Sequence, residues 1–160
     1  MQHANTKSGT ALPKLQVKFG QVHVATYQLP VGLGDCSVHL LVDENGTVVS
    51  GFLMDGGKDA REVLAAKVID DGLRLLAAAY GRGWNKLRAW VVTHWDEDHY
   101  MGMANWIVNN ITGEFFTEEA RFYTGPEINK KNRYKDMPEP VADALRLFTE
   151  TRWMVGYFYF

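Results

Sequence analysis

The stretch Leu87-Arg88-Ala89-Trp90-Val91-Val92-Thr93-His94-Trp95-Asp96-Glu97-Asp98-His99 decides how the rest of the chain is read. Its first half is apolar and reads as a buried strand. Its second half brings together four metal-capable side chains, His94, Asp96, Asp98 and His99. A dense group of acids and histidines at the end of a buried strand is unfavourable unless its charge is compensated, and a divalent cation does that. Imidazole nitrogen and carboxylate oxygen together suit zinc, manganese or iron. Side chains this close in sequence point in different directions, so they serve two adjacent ions, or one ion with help from elsewhere. Two ions about 3.5–4 Å apart hold a hydroxide and clamp a phosphate or carbonyl, which is hydrolase chemistry. The competing reading is that a short acid-rich loop is solvated surface. The bracketing histidines and the apolar strand before them favour the metal site.

Working outward, residues 22–29 form a strand rich in β-branched and aromatic side chains. Gly32-Leu33-Gly34-Asp35-Cys36 reads as a tight turn. Strands at 37–42 and 48–54 flank Asp43-Glu44-Asn45-Gly46, a hairpin signal, and the second ends at Asp55-Gly56-Gly57. The period then changes. Val63, Leu64, Val68, Leu73, Leu75 and Leu76 fall near helical spacing over 59–80, and Asp59 with Glu62 resembles a capping box. Gly81 and Gly83 end that helix. Downstream, the pattern predicts a short helix at 103–111, a strand at 120–124, a polar loop at 127–140 and an amphipathic helix at 141–150. The order predicts a mixed α/β layered domain (α+β in its segregation). Residues 1–14 read as a flexible tail and 15–160 as a single domain.

The chain has 160 residues, 46% hydrophobic and 22% charged, which is enough to bury one core. A net charge of -2 provides no global attraction to nucleic acid or to a membrane surface. Cys36 is the only cysteine, so an intramolecular disulfide is ruled out. There is no secretory leader pattern and no apolar run of spanning length, so a cytoplasmic protein without a membrane partner is expected. Cys36 reads as a small buried residue rather than a nucleophile. His23 and His39 read as surface or hydrogen-bonded strand residues. Trp90 and Trp106 read as core, and the run from Arg121 to Lys135 as a solvated loop.

The motifs also carry a family resemblance. His94-x-Asp96-x-Asp98-His99 resembles the His-x-His-x-Asp-His signature of the metallo-β-lactamase fold, with Asp at the second His position. That replacement is typical of the branch resembling the metallo-β-lactamase domain of the bacterial DNA-uptake competence protein. Gly32-Leu33-Gly34-Asp35-Cys36 is similar to that branch's Gly-x-Gly-Asp turn, and Asp55-Gly56-Gly57 to the family's Asp-Gly-Gly. The resemblance covers residues 22–111. It implies an αββα sandwich with metals at one edge, zinc first, two ions where the site is complete, and manganese or iron as alternatives. By the same resemblance His94 and Asp96 bind one metal and Asp98 and His99 the other. Asp98 lies near the attacking water, Asp55 braces the ligand loop from behind, and Gly34 and Asp35 form a turn near the site. The implied activity is hydrolysis of phosphodiester or other ester-type bonds through a metal-bound hydroxide, on a small molecule or a nucleic acid.

The chain departs from the pattern in two places. Met101 stands where the family usually has Gly, with Gly102 one position later, so altered helix packing is expected. No histidine follows His99, although the family draws further ligands from downstream. The expectation is therefore an N-terminal portion with an incomplete second half. The alternative is a truncated or degenerate non-catalytic module, which associates with another chain through an exposed sheet.

Overall fold

The computed structural model describes residues 21–94, 96–110, 114–124 and 154–155. β1 (Val22–Gln28), β2 (Cys36–Asp43) and β3 (Val48–Asp55) form an antiparallel meander. Asp43 closes the hairpin between β2 and β3. Its carboxylate accepts the amides of Asn45 at 2.9 Å and Thr47 at 2.8 Å, while Gly46 takes φ +76°. The Thr47 amide foremost holds the Asp43 carboxyl below its ordinary range.

From β3 the chain crosses through α1 (Ala65–Tyr80) to β4 (Leu87–Val92). From β4 it crosses through α2 (Glu97–Asn110) to β5 (Phe116–Thr124). Both strand pairs are parallel, as a helical crossover allows. β6 (Met154–Val155) pairs parallel to β5, and the strand order across the sheet follows the chain, β1-β2-β3-β4-β5-β6. Among the described residues the architecture is mixed α/β, a sheet of antiparallel and parallel strands with two α-helices.

One sheet face makes the core. Val38, Leu40, Val42, Leu53, Trp90 and Val92 are buried in one cluster with Ala65, Ile69 and Leu73 of α1 and Met103, Ala104 and Ile107 of α2. Leu87 also belongs to that cluster, and the β4–β5 register shifts between Leu87 and Ala89, with the extra residues in β5. Strand pairing puts His39 opposite Phe52, Phe52 opposite Ala89, Met54 opposite Val91 and Val91 opposite Tyr123. These side chains share the second face, and most of them are only half-buried.

The helices differ from the sequence expectation at their starts. Residues 60–63 form a bridged turn, in which Ala60 and Val63 exchange backbone hydrogen bonds of 2.9 and 3.2 Å. Those bonds use up the groups a helix would need, and α1 begins only at Ala65. Asp59 still caps it: its Oδ1 accepts the Ala65 amide at 2.8 Å from outside the helix, while Glu62 takes no part in an observed cap. The buried stripe is Ala65, Ile69, Leu73 and Leu76, whereas Leu64 and Leu75 are exposed. The second helix starts at Glu97, not at 103, so Asp98 and His99 lie in its first turn. β5 starts at Phe116, four residues before the expected strand. The tail at 1–14, Trp95, the loop at 127–140 and the helix at 141–150 lie outside the described residues. None of the described helices is long and apolar enough to cross a membrane.

The split within α1 sets a test. Leu73→Ala removes a fully buried side chain and is expected to cost about 2–5 kcal/mol in urea denaturation. Leu75→Ala, at a position 70% exposed, is expected to stay within about 0.5 kcal/mol of the parent.

Candidate metal centre

The acid-histidine cluster lies at the carboxyl ends of two neighbouring parallel strands. β3 ends on Asp55, and β4 runs straight into Thr93 and His94. Asp55 is the one non-glycine residue with positive φ among those described, at +57°. Aspartate tolerates this left-handed conformation better than most residues. The turn lets the next two residues, Gly56 and Gly57, pass directly under α2.

Glycine is required at that contact. A Cβ on Gly56 would stand 2.4 Å from Met103 Cβ, and one on Gly102 would stand 2.2 Å from the Gly56 carbonyl oxygen. The Gly102 amide donates to the Gly57 carbonyl at 2.7 Å. The displaced glycine of α2 therefore makes the close approach, and Met101 packs beside it against the core. The Gly34-Asp35 turn closes the other side. Gly34 takes φ +73°, and a Cβ there would fall 1.8 Å from the Asp98 carbonyl oxygen. The Asp35 carbonyl accepts the Gly57 amide at 2.9 Å, and its carboxylate accepts Gln28 Nε2 at 3.3 Å. Gly34 and Asp35 thus lock the loop to the first turn of α2, without themselves offering side chains to the cluster.

The Asp55 carboxylate is 5% exposed and organises the histidines. It accepts the Thr93 amide at 2.8 Å, the Thr93 hydroxyl at 2.9 Å and His99 Nδ1 at 3.0 Å. The Asp55 carbonyl also accepts Trp90 Nε1 at 3.0 Å. With Nδ1 donating to a carboxylate, the other nitrogen of His99, Nε2, is left as a lone-pair donor. The Thr93 hydroxyl lies 3.0 Å from His94 Nδ1, so the second imidazole is held from the same side. The two rings lie 3.8 Å apart, centroid to centroid.

Both free nitrogens face acids. His94 Nε2 is 3.3 Å from Asp96 Oδ2, and His99 Nε2 is 3.9 Å from Asp98 Oδ2. An imidazole nitrogen and a carboxylate oxygen sharing one tetrahedral zinc stand about 3.3–3.4 Å apart, given metal-ligand bonds of about 2.0–2.2 Å. The first pair meets that spacing, and the second exceeds it by about half an ångström. Asp96 is 76% exposed against 43% for His94, and Asp98 44% against 15% for His99, so in each pair the carboxylate is the more exposed partner. The donor chemistry of each pair fits a divalent ion. All the same, the ligands stand as two pairs. Among the described residues, no three His, Cys, Asp or Glu side chains form a group that could hold an ion.

Three neighbours complete the electrostatics. Lys58 follows Gly57 and is ion-paired with Glu97, which together with Asp98 raises the ammonium above its ordinary range. Burial pushes the Tyr100 hydroxyl up, helped by Glu97. Cys36 is buried, and burial followed by the Asp55 and Asp35 charges drives its thiol far above the usual range. Its burial is what the sequence predicts. His39 is also as expected: it hydrogen-bonds Ser37 at 2.8 Å and Thr26 at 3.1 Å, and it stacks on Phe52. Sequence reasoning assigned no role to Thr93 or Lys58. A hydroxyl residue between the strand and the first histidine was the signal for Thr93.

The network predicts a contrast between two aspartates. Asp55→Ala leaves the Thr93 amide and His99 Nδ1 without their acceptor and is expected to cost about 2–4 kcal/mol in urea denaturation. Asp96→Ala, at the exposed end of the cluster, is expected to change stability by no more than about 0.5 kcal/mol.

Compared with family models, curated proteins and solved structures, the chain matches none of them.

Proposed function

We propose that this chain is a metal-dependent hydrolase of the metallo-β-lactamase fold, acting on phosphodiester or other ester-type bonds. The observation that carries the reading is the Asp55–His99 hydrogen bond of 3.0 Å, which leaves Nε2 of a nearly buried imidazole facing the carboxylate of Asp98. Histidine ligands are commonly oriented by such a carboxylate behind them. The fold reading is supported by a sheet with its helical core on one face and a half-buried, partly apolar second face. A second sheet would pack there in an αββα sandwich.

His94 and Asp96 would hold one ion and Asp98 and His99 the other, with zinc first and manganese or iron as alternatives. A bound ion would polarise the ester oxygen and acidify a water molecule. The chain's own residues supply positioning and proton transfer. Asp55 and Thr93 keep both imidazoles with Nδ1 turned inward. Asp98, at the helix start beside His99, accepts the proton of the attacking water. The buried Trp90 holds the Asp55 backbone through its indole N–H.

The second reading is a degenerate, non-catalytic relative that pairs with another chain. It is favoured by the absence of a converged three-ligand group among the described residues.

Zinc binding decides between them. Two ions per chain are expected by elemental analysis, falling in His99→Ala and Asp98→Ala. At a free zinc concentration about 100 times Kd, stabilisation of about 2.7 kcal/mol is expected in the parent. Metal-dependent hydrolysis of bis(p-nitrophenyl) phosphate should follow the same variants. No retained metal, and a melting temperature unmoved by zinc or manganese, would sink the hydrolase reading.

A further inference from the structure

We infer that Lys58 is the residue through which this site takes hold of a phosphate group on its substrate, an inference that rests on the hydrolase reading. The mouth of the cluster is acidic: Asp96, Glu97 and Asp98 follow one another, and the first two are exposed. With Asp96 and Asp98 assigned to the ions of the hydrolase reading, Glu97 is the acid of this run left facing an approaching phosphodiester, and a cation beside it offsets the repulsion. Among the described residues, Lys58 is the cation ion-paired to this run, through Glu97.

Its placement is fixed by backbone. Lys58 and Leu33 exchange amide–carbonyl hydrogen bonds of 3.0 and 3.3 Å. The preceding residue, Gly57, is tied to Asp35 on one side and to Gly102 of α2 on the other. The Cα of Lys58 is thereby held against both the Gly34 turn and the helix that carries Asp98 and His99. Only the side chain is free to swing, and its ammonium already reaches the first turn of α2.

The present partner is a weak one. Glu97 is 59% exposed, and exposed ion pairs contribute little because water and salt screen them. The ammonium already holds one anionic oxygen, that of Glu97. A phosphate offers more acceptor oxygens and displaces Glu97 at small cost. Lysine suits this role as a compact charge on a flexible stem, which tolerates different diesters without demanding one orientation. The assignment is a substrate-binding role for anionic esters, so neutral esters should not depend on it.

The test uses the full chain with zinc added. Dimethyl phosphate and, separately, a short oligothymidylate are titrated by calorimetry, with zinc content measured in the same samples. Lys58→Ala is expected to weaken both about tenfold, Lys58→Arg to restore most of the loss, and Glu97→Gln to tighten binding about two- to threefold. An oligonucleotide that binds more tightly than the small diester identifies a nucleic-acid strand as the source of the phosphate, and equal affinities identify a small diester. Either result supports the role of Lys58 when Lys58→Ala weakens binding. Wild-type zinc content with phosphate affinity unmoved by Lys58→Ala overturns the inference alone. Zinc content at background overturns the metal reading, and this inference with it.

Discussion

The buried carboxylate of Asp55 is the constraint on which the rest of this site depends. It gathers an amide and a hydroxyl from Thr93 and an imidazole N–H from His99, groups that lie 38 and 44 residues away in sequence. A buried carboxylate without such donors is costly, since desolvation of the charge is not repaid. With them, it becomes a bracket joining the end of β3, the end of β4 and the first turn of α2. The same bracket sets which nitrogen of His99 faces outward. Stability and ligand orientation therefore rest on one set of hydrogen bonds.

That bracket closes only because three stretches of backbone come unusually near one another. Gly34 lies on the Asp98 carbonyl, Gly56 lies under Met103, and Gly102 lies on the Gly56 carbonyl. A side chain at any of these positions would push α2 off the turn. Asp98 and His99 would then move away from Asp55. Each of these glycines is needed because another element occupies the space of its Cβ, and Gly34 also takes a positive φ.

The charge distribution follows from the same geometry. Acids collect at one end of the sheet, with two imidazoles held between them and Lys58 at the rim. The pairs His94–Asp96 and His99–Asp98 have the chemistry of metal ligands, and the inward-facing nitrogens are held from behind. The proposed metal-dependent role rests on these braces rather than on the density of acids alone. The second face of the sheet is half-buried among the described residues.

Much of this was legible in the sequence, and the reason is range. Strand positions β1 to β4, the Asp43–Gly46 hairpin and the stop at Gly81 are governed by local pattern and turn chemistry, so neighbouring residues were enough to locate them. That His94, Asp96, Asp98 and His99 lie near one another follows from their falling within six residues. The start of α1 was not, because Asp59 caps it across a bridged turn that only folded backbone forms. Nor was the burial of Leu73 against the exposure of Leu75, since helical spacing does not say which flank meets the sheet. The sequence by itself determined strands β1 to β4, the presence of a helix after β3 and another after β4, and the residue types of the cluster. The tertiary structure alone decided that Asp55 would hold His99 and that Lys58 would face Glu97, because those contacts join residues 44 and 39 apart and exist only once α2 has packed onto the glycine turn.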